Sequence, residues 1–368
     1  MFLPIILILY TVANSIILAI WYYGWNTIKA RASKNVIYKK VSIIIAARNE
    51  EAHIGSLLRC LQNQSYPKEN IEIIVVDDHS TDRTSAVVSA YQDVILLNAE
   101  KEGKKNAISQ AIAKATGEYI LTTDADCTML PSWLLTMAQG IEGADLASAP
   151  VYMQTPYTHL TLSERMLVQF QQLEFSALIA IGGASIRLDE PNMCNGANLL
   201  YKKEAFKAVD GFHGNDHLAS GDDEFLMHKI ALTGSITFIK NRDATVYTKP
   251  ELTWESLLSQ RIRWASKHKH YKNIITKMAL LIIFLSNMGL LISILMFAFT
   301  FNSIYIIPLV IKYISDAIFL QSVYSFFKEK LPYFTLLLFI PMYPIYMLIV
   351  AYKANIGGKY QWKGRTQT

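Results

Sequence analysis

Three short motifs, two acidic and one basic, carry most of the chemistry this chain could perform. Asp124-Ala125-Asp126 places two carboxylates two residues apart, which lets both reach one hard divalent cation where a strand bends. Mg²⁺ takes one or two carboxylates and completes its shell with water and phosphate oxygens, so the motif points to a metal shared with a phosphorylated substrate. Lys104 and Lys105 follow Gly103 at the expected start of a helix, a setting suited to phosphate. Further on, Gly221-Asp222-Asp223-Glu224 opens a helix expected over 225–232. One acid there serves the helix dipole. Three exceed that need, and mutual repulsion with burial would raise one toward a useful general base. Gln260-Arg261-Ile262-Arg263-Trp264 sits on an amphipathic segment. From the residues alone it reads as an interfacial helix whose arginines snorkel, with Lys267, His268, Lys269 and His270 at the headgroups.

The elements that must position these groups follow an α/β pattern. Runs 41–47 (VSIIIAA) and 71–77 (IEIIVVD) are short, apolar and β-branched, as strands buried on both faces are. Helices are expected over 51–62, 81–91 and 104–115, and further strands over 94–97 and 118–123, with Ser80 or Thr81 capping the second helix. Such alternation predicts a mostly parallel sheet that binds ligands at its carboxyl edge. Glu50 and Glu51 follow the first strand, Asp77 and Asp78 close the second, and Asp124 and Asp126 follow the fourth. All three acidic clusters therefore fall on one edge.

The flanks of this domain are of another kind. Hydrophobic residues make up 52% of the 368, and charged residues only 18%, which excludes disorder. Phe2–Tyr23 is free of charge, has no basic residue before it, and precedes Lys29, Arg31, Lys34, Lys39 and Lys40. It reads as a membrane anchor with the N-terminus outside and the next domain in the cytoplasm. Spans are expected at 277–299, 303–327 and 331–352. Three such crossings would put the tail outside, yet Lys353, Lys359, Lys363 and Arg365 favour inside. One candidate should then be re-entrant or interfacial, by preference the one holding Lys312 and Asp316, which can pair four apart on a helix. The expected division is an anchor over 1–28, a catalytic domain over 40–250, an interfacial helix over 251–275, two or three crossings over 276–353, and a basic tail over 354–368. Cys60, Cys127 and Cys194 stand too far apart for a zinc ribbon or a disulfide framework. The net charge of +5 gathers beside the membrane and no nucleic-acid reader motif is present, so nucleic acid is not an expected partner.

Taken in order, ARNEE (47–51), VVDDHSTD (75–82), EGKKNA (102–107), DAD (124–126), GDDE (221–224) and QRIRW (260–264) resemble the motif series of family 2 glycosyltransferases. The likeness is to the membrane-bound branch that includes ceramide glucosyltransferases and cellulose and hyaluronan synthases, and it covers about residues 40–270. It implies a GT-A fold, a nucleotide-diphosphate sugar as donor, Mg²⁺ or Mn²⁺, and inversion at the anomeric carbon. Carried over residue by residue, it gives Glu50, Asp77 and Asp78 to the nucleoside and Lys104 to the nucleotide. Asp124 and Asp126 would serve ribose and metal-diphosphate, with Asp126 the direct ligand. Asp223 would be the general base, and Gln260, Arg263 and Trp264 would close over the diphosphate. Departures are alanine at 46 or 47 in place of proline, His79 in place of glycine, and Asp222 in place of glutamate. Asn195–Asn198 resembles the start of the acceptor-side strand. The implied activity is sugar transfer to a hydroxyl of a membrane-resident lipid, the alternative being a processive polysaccharide synthase that exports its product. A bacterial inner membrane would suit the short loops.

Overall fold

The computed structural model describes residues 2–29, 38–155, 159–215, 221–267, 271, 273–356, 360–362 and 365–367. His268, Lys269 and His270, and Lys359 and Lys363 of the tail, lie outside them.

After a first helix, α1 (Phe2–Thr27), the α/β region begins with β1 (Val41–Ala47), α2 (Ile54–Gln62), β2 (Ile71–Asp77), α3 (Thr84–Ser89), β3 (Val94–Asn98), α4 (Lys104–Lys114) and β4 (Tyr119–Thr122). β1 and β2 match the expected bounds because their apolar runs are buried on both faces. α3 is shorter than the expected 81–91. Neither Ser80 nor Thr81 caps it, because the turn before it is held by other side chains: Asp77 Oδ1 accepts from the Ser80 N–H, Asn49 Oδ1 from that of Thr81, and Asp82 Oδ1 from that of Thr84, at 3.0, 2.8 and 3.0 Å.

The chain continues through β5 (Thr128–Met129), α5 (Trp133–Gly140), β6 (Leu146–Ser148), β7 (Val151–Met153) and α6 (Leu162–Arg187), then β8 (Leu199–Lys202), α7 (Lys203–Ala208), α8 (Asp222–Ala231), β9 (Ile236–Phe238) and β10 (Val246–Thr248). Thr161 and Glu164 form a reciprocal capping box at the start of α6. The main sheet has the order β3-β2-β1-β4-β8-β6-β9, with β8 antiparallel to both neighbours and the other pairs parallel. A second sheet, β5-β10-β7, lies beyond the DAD motif. In register Ala47 stands opposite Asp77, and β4 pairs with β1 up to Thr122 opposite Ile44. The three acidic clusters thus leave the sheet on one edge.

α9 (Trp254–Ala265) carries QRIRW and is followed by α10 (Ile274–Thr300), α11 (Ile307–Phe327), α12 (Tyr333–Ile356) and a hairpin of β11 (Tyr360–Trp362) and β12 (Arg365–Gln367). α1, α10, α11 with its short leading turn, and α12 are each long and apolar enough to cross a membrane by length and composition. α9 does not simply float its arginines among headgroups as expected: Arg261 is buried in the protein, and Lys267 turns inward rather than toward lipid.

Candidate active site

A cavity of about 1830 Å³ opens at the carboxyl edge of the sheet and continues between the long helices. Glu50, Lys104, Asp124 and Asp126 line its sheet side. Asp223, Gln260, Arg263 and Trp264 line it opposite. The other two residues singled out from sequence, Asp77 and Asp78, stand behind the wall. Asp77 accepts from the Ser80 N–H and the Ser85 hydroxyl, fastening the turn after β2. Asp78, 1% exposed, accepts from the Gly103 N–H at 3.1 Å and so holds the start of α4 against β2. Lys105 also turns away, donating to the Asn215 carbonyl. Asp82, which the sequence reading passed over, lines the cavity instead.

The departure at His79 has a physical reading. Its φ is +57°, the left-handed region that favours glycine, and Asn49 across the edge has φ +52°. The turn geometry is kept and the histidine carries the strain, its Nδ1 3.2 Å from Asp78 Oδ1.

At the centre, two lysines tie the acidic motifs together. Lys104 Nζ lies 2.7 Å from Asp124 and 3.6 Å from Asp222. Lys267 Nζ lies 3.0 Å from Glu224 and 3.8 Å from Asp223. Burial works to lower both ammonium groups, but the surrounding carboxylates (Asp124 and Asp222 about the first, Glu224 and Asp223 about the second) hold them well above the ordinary lysine value. Burial alone would raise Asp223. Lys267 and Lys104 outweigh it, with the Glu224 N–H donating at 2.8 Å and the Gly196 N–H at 2.9 Å, and the carboxyl rests below the ordinary aspartate value. Asp223 is therefore a carboxylate at neutral pH, able to accept a proton. This differs from the sequence expectation of a raised base, because the two lysines are brought in from distant parts of the chain.

Lys267 and Tyr271, whose hydroxyl donates to Glu224 at 3.1 Å, were missed. The one available signal was spacing, since Lys267 follows Trp264 by three residues. Glu174 was also missed. An acid in the otherwise apolar run of α6 (QQLEFSALIAIGG) needs a partner, and the partner is Arg261 Nε at 2.7 Å.

Asp124 and Asp126 suit a metal of the Mg²⁺ kind, which needs few protein oxygens and takes the rest from phosphate and water. Asp124 is paired with Lys104 and Asp126 Oδ2 accepts from the Thr248 hydroxyl at 3.3 Å, so both carboxylates face the cavity as oxygen donors. Among the described residues no cluster of three or more His, Cys, Asp or Glu forms a closed metal cage.

Residues 42–209 match the family model described as Glycosyl transferase family 2. That stretch is similar to family 2 glycosyltransferases. Among curated relatives, the chain is 28% identical to the beta-monoglucosyldiacylglycerol synthase of Nostoc sp. over 43% of this chain and 38% of that one. It is 25% identical to the poly-beta-1,6-N-acetyl-D-glucosamine synthase of Staphylococcus epidermidis over 72% of this chain and 63% of that one. The chain spans less than two thirds of the length of the curated relatives it matches. A solved structure, mannosyltransferase PcManGT from Pyrobaculum calidifontis in complex with GDP-Man and Mn²⁺, aligns over 96% of this chain and 99% of that one, with 20% identity and a TM-score of 0.61. That likeness establishes the fold, a GT-A arrangement with long helices at both ends.

The chain sets its DDE motif with Gly221, whose φ is +83°. A Cβ there would lie 2.6 Å from the Phe225 ring. Gly221→Ala is expected to cost about 1–2 kcal/mol of stability and, if Asp223 in the first turn of α8 is the base that the resemblance implies, to lower activity by more than the stability loss explains. Thermal melts and initial rates on the same preparation check it.

Proposed function

We propose that the protein moves a sugar from a nucleotide-diphosphate sugar to a hydroxyl of a membrane-resident lipid, with inversion at the anomeric carbon. One observation carries this reading: the cavity that holds the Asp223 carboxylate runs without interruption from the acidic sheet edge to side chains of the long apolar helices, such as Phe284, Phe319 and Met347. Donor and lipid can thus meet at one carboxylate.

In the proposed reaction Asp223 takes the proton of the acceptor hydroxyl. The acceptor oxygen bonds to the anomeric carbon as the bond from that carbon to the diphosphate oxygen breaks, and the electron pair leaves with the nucleoside diphosphate. An α-linked donor gives a β-linked product. Lys104 and Arg263 offset charge on the leaving group, and Glu50 and Asp82 lie where the nucleoside side of the donor would rest. A divalent cation, held by Asp126 with Asp124, would supply further charge neutralisation on the diphosphate.

The similarity to a polysaccharide synthase over 72% of the chain favours a second reading, in which the same chemistry repeats on a growing polymer. Membranes containing the protein, given labelled nucleotide sugars with Mg²⁺ or Mn²⁺, distinguish the two. One discrete organic-soluble product lost on EDTA treatment is expected. Label in insoluble, high-mass material would replace the first reading with the second.

A further inference from the structure

The last long helix is placed unlike a simple crossing. The Thr335 hydroxyl bonds the Gln169 side chain of α6. Phe339 and Tyr346 bring their rings to 4.4 and 5.1 Å from Phe170, which itself packs on Trp254 at the start of α9. The Tyr346 hydroxyl then donates to Glu174 at 3.1 Å, beside Arg261 of α9. β11, beyond the end of α12, meets α9 again. From Thr335 to Tyr346 is about 16 Å of helix, over half of a hydrocarbon core of roughly 30 Å, and along it one side rests on α6 and α9 of the catalytic domain while another packs on α10 and α11. Were α12 to cross, α9 with its exposed Glu255, and α6 with Gln169 and Glu174, would sink with it to a depth where charge is costly.

Charge at the helix ends agrees. Lys328 and Lys330 precede α12 and Lys353 lies in its last turn. Lys29 follows α1 and Lys277 opens α10, both on the catalytic side, while the joint from Phe301 to Ile306 between α10 and α11 carries no charge. Positive residues collect on one membrane face, and by that rule both ends of α12 are on it. The outward side of α12 is apolar along its length: Phe334, Leu337, Ile345, Ile349 and Tyr352 are exposed at helical spacing.

We propose that α1, α10 and α11 cross the bilayer and that α12 does not. It lies in the catalytic-side leaflet, with its outer face among acyl chains, its lysine-flanked ends at the headgroups, and the β11–β12 hairpin on the same face as the sheet. The sequence expectation gave this role to the helix with Lys312 and Asp316. That helix is unbroken from Ile307 to Phe327, and the two side chains close on each other at 2.5 and 2.6 Å. The inner face of α12 (Phe339, Tyr343, Met347 and Val350) lines the cavity that holds Asp223. One helix then separates the leaflet from the catalytic carboxylates, a side entrance for a lipid acceptor. The entrance rests on the proposed activity; the placement of α12 does not.

The test needs no activity. With Cys60, Cys127 and Cys194 replaced by alanine, single cysteines are introduced as Asn302→Cys, Lys330→Cys and Thr366→Cys in the full chain. A membrane-impermeant maleimide applied to intact cells is expected to label Asn302→Cys alone, and to label the other two only after permeabilisation. Labelling of Thr366→Cys in intact cells, with Lys330→Cys protected, would mean that α12 crosses. Protection of Asn302→Cys in intact cells with labelling after permeabilisation would overturn the three-crossing count. Spin labels at Leu337→Cys and Tyr352→Cys give an independent reading. Equal depths are expected, whereas a difference near the about 22 Å of helix between them would sink the proposal.

Discussion

Asp223→Asn is expected to lower the transfer rate by about 10²- to 10⁴-fold while leaving binding of the nucleoside diphosphate almost unchanged. The amide keeps the shape of the side chain and can still accept from the Gly196 N–H, but it cannot take the acceptor's proton. Calorimetric titration of the nucleotide beside initial rates separates the two effects. A parallel loss of binding would show that Asp223 holds the donor instead.

The pH dependence follows from the same geometry. Burial raises the carboxyl, and Lys267 and Lys104 with two backbone N–H groups bring it below its ordinary value of 3.8. The proposed base is then ionised throughout the neutral range, and the acid limb of the rate profile should appear only below that value. The sign for stability is the same. A depressed carboxyl contributes stability that is fully present above its unfolded value, and this is lost as pH falls through the lower folded value. Lys267→Met removes the largest opposing charge, 3.8 Å away. The acid limb should then move upward. A limb that stays in place would mean that Lys267 serves Glu224 alone.

The legible parts of this molecule were those in which one local pattern decides the outcome. β1 and β2 are mainly apolar, Ser42 and Glu72 aside, because both faces are covered, and parallel strands carry their closing acids to a common edge. Strands of two to four residues, such as β6, β7 and β9, carry no periodicity to read, so the second sheet stayed hidden and β8 was signalled only by the resemblance at Asn195–Asn198. Asp77 illustrates a different limit. An acid at a strand end looks the same in sequence whether it meets a ligand or, as in this fold, the Ser80 N–H and the Ser85 hydroxyl. Lys267 illustrates a third. Amphipathic spacing near a membrane assigns a lysine to headgroups, and only the fold brings it back against Glu224.

Glu174→Gln should destabilise the fold more than Gly221→Ala does. Glu174 and Arg261 have side chains only 9% and 4% exposed, and the carboxylate also accepts from Tyr346, so it joins α6, α9 and α12. Taking one partner from a buried ion pair leaves a charge without compensation, at a cost of about 3–5 kcal/mol. A thermal melt in detergent micelles would register that as a large fall in midpoint. Replacing both residues by apolar ones, Glu174→Leu with Arg261→Met, should recover most of the stability, since a well-packed apolar pair often matches a buried ionic one. The transfer rate should not recover with it. The Arg261 guanidinium sits 4.3 Å above the Trp264 ring and bonds the Gln260 side chain, so it orients two side chains that line the cavity. Methionine restores volume without the fork of donors that fixes either one. Recovery of rate together with stability would instead assign Arg261 to packing alone, and Gln260 and Trp264 would then take their positions from α9 itself.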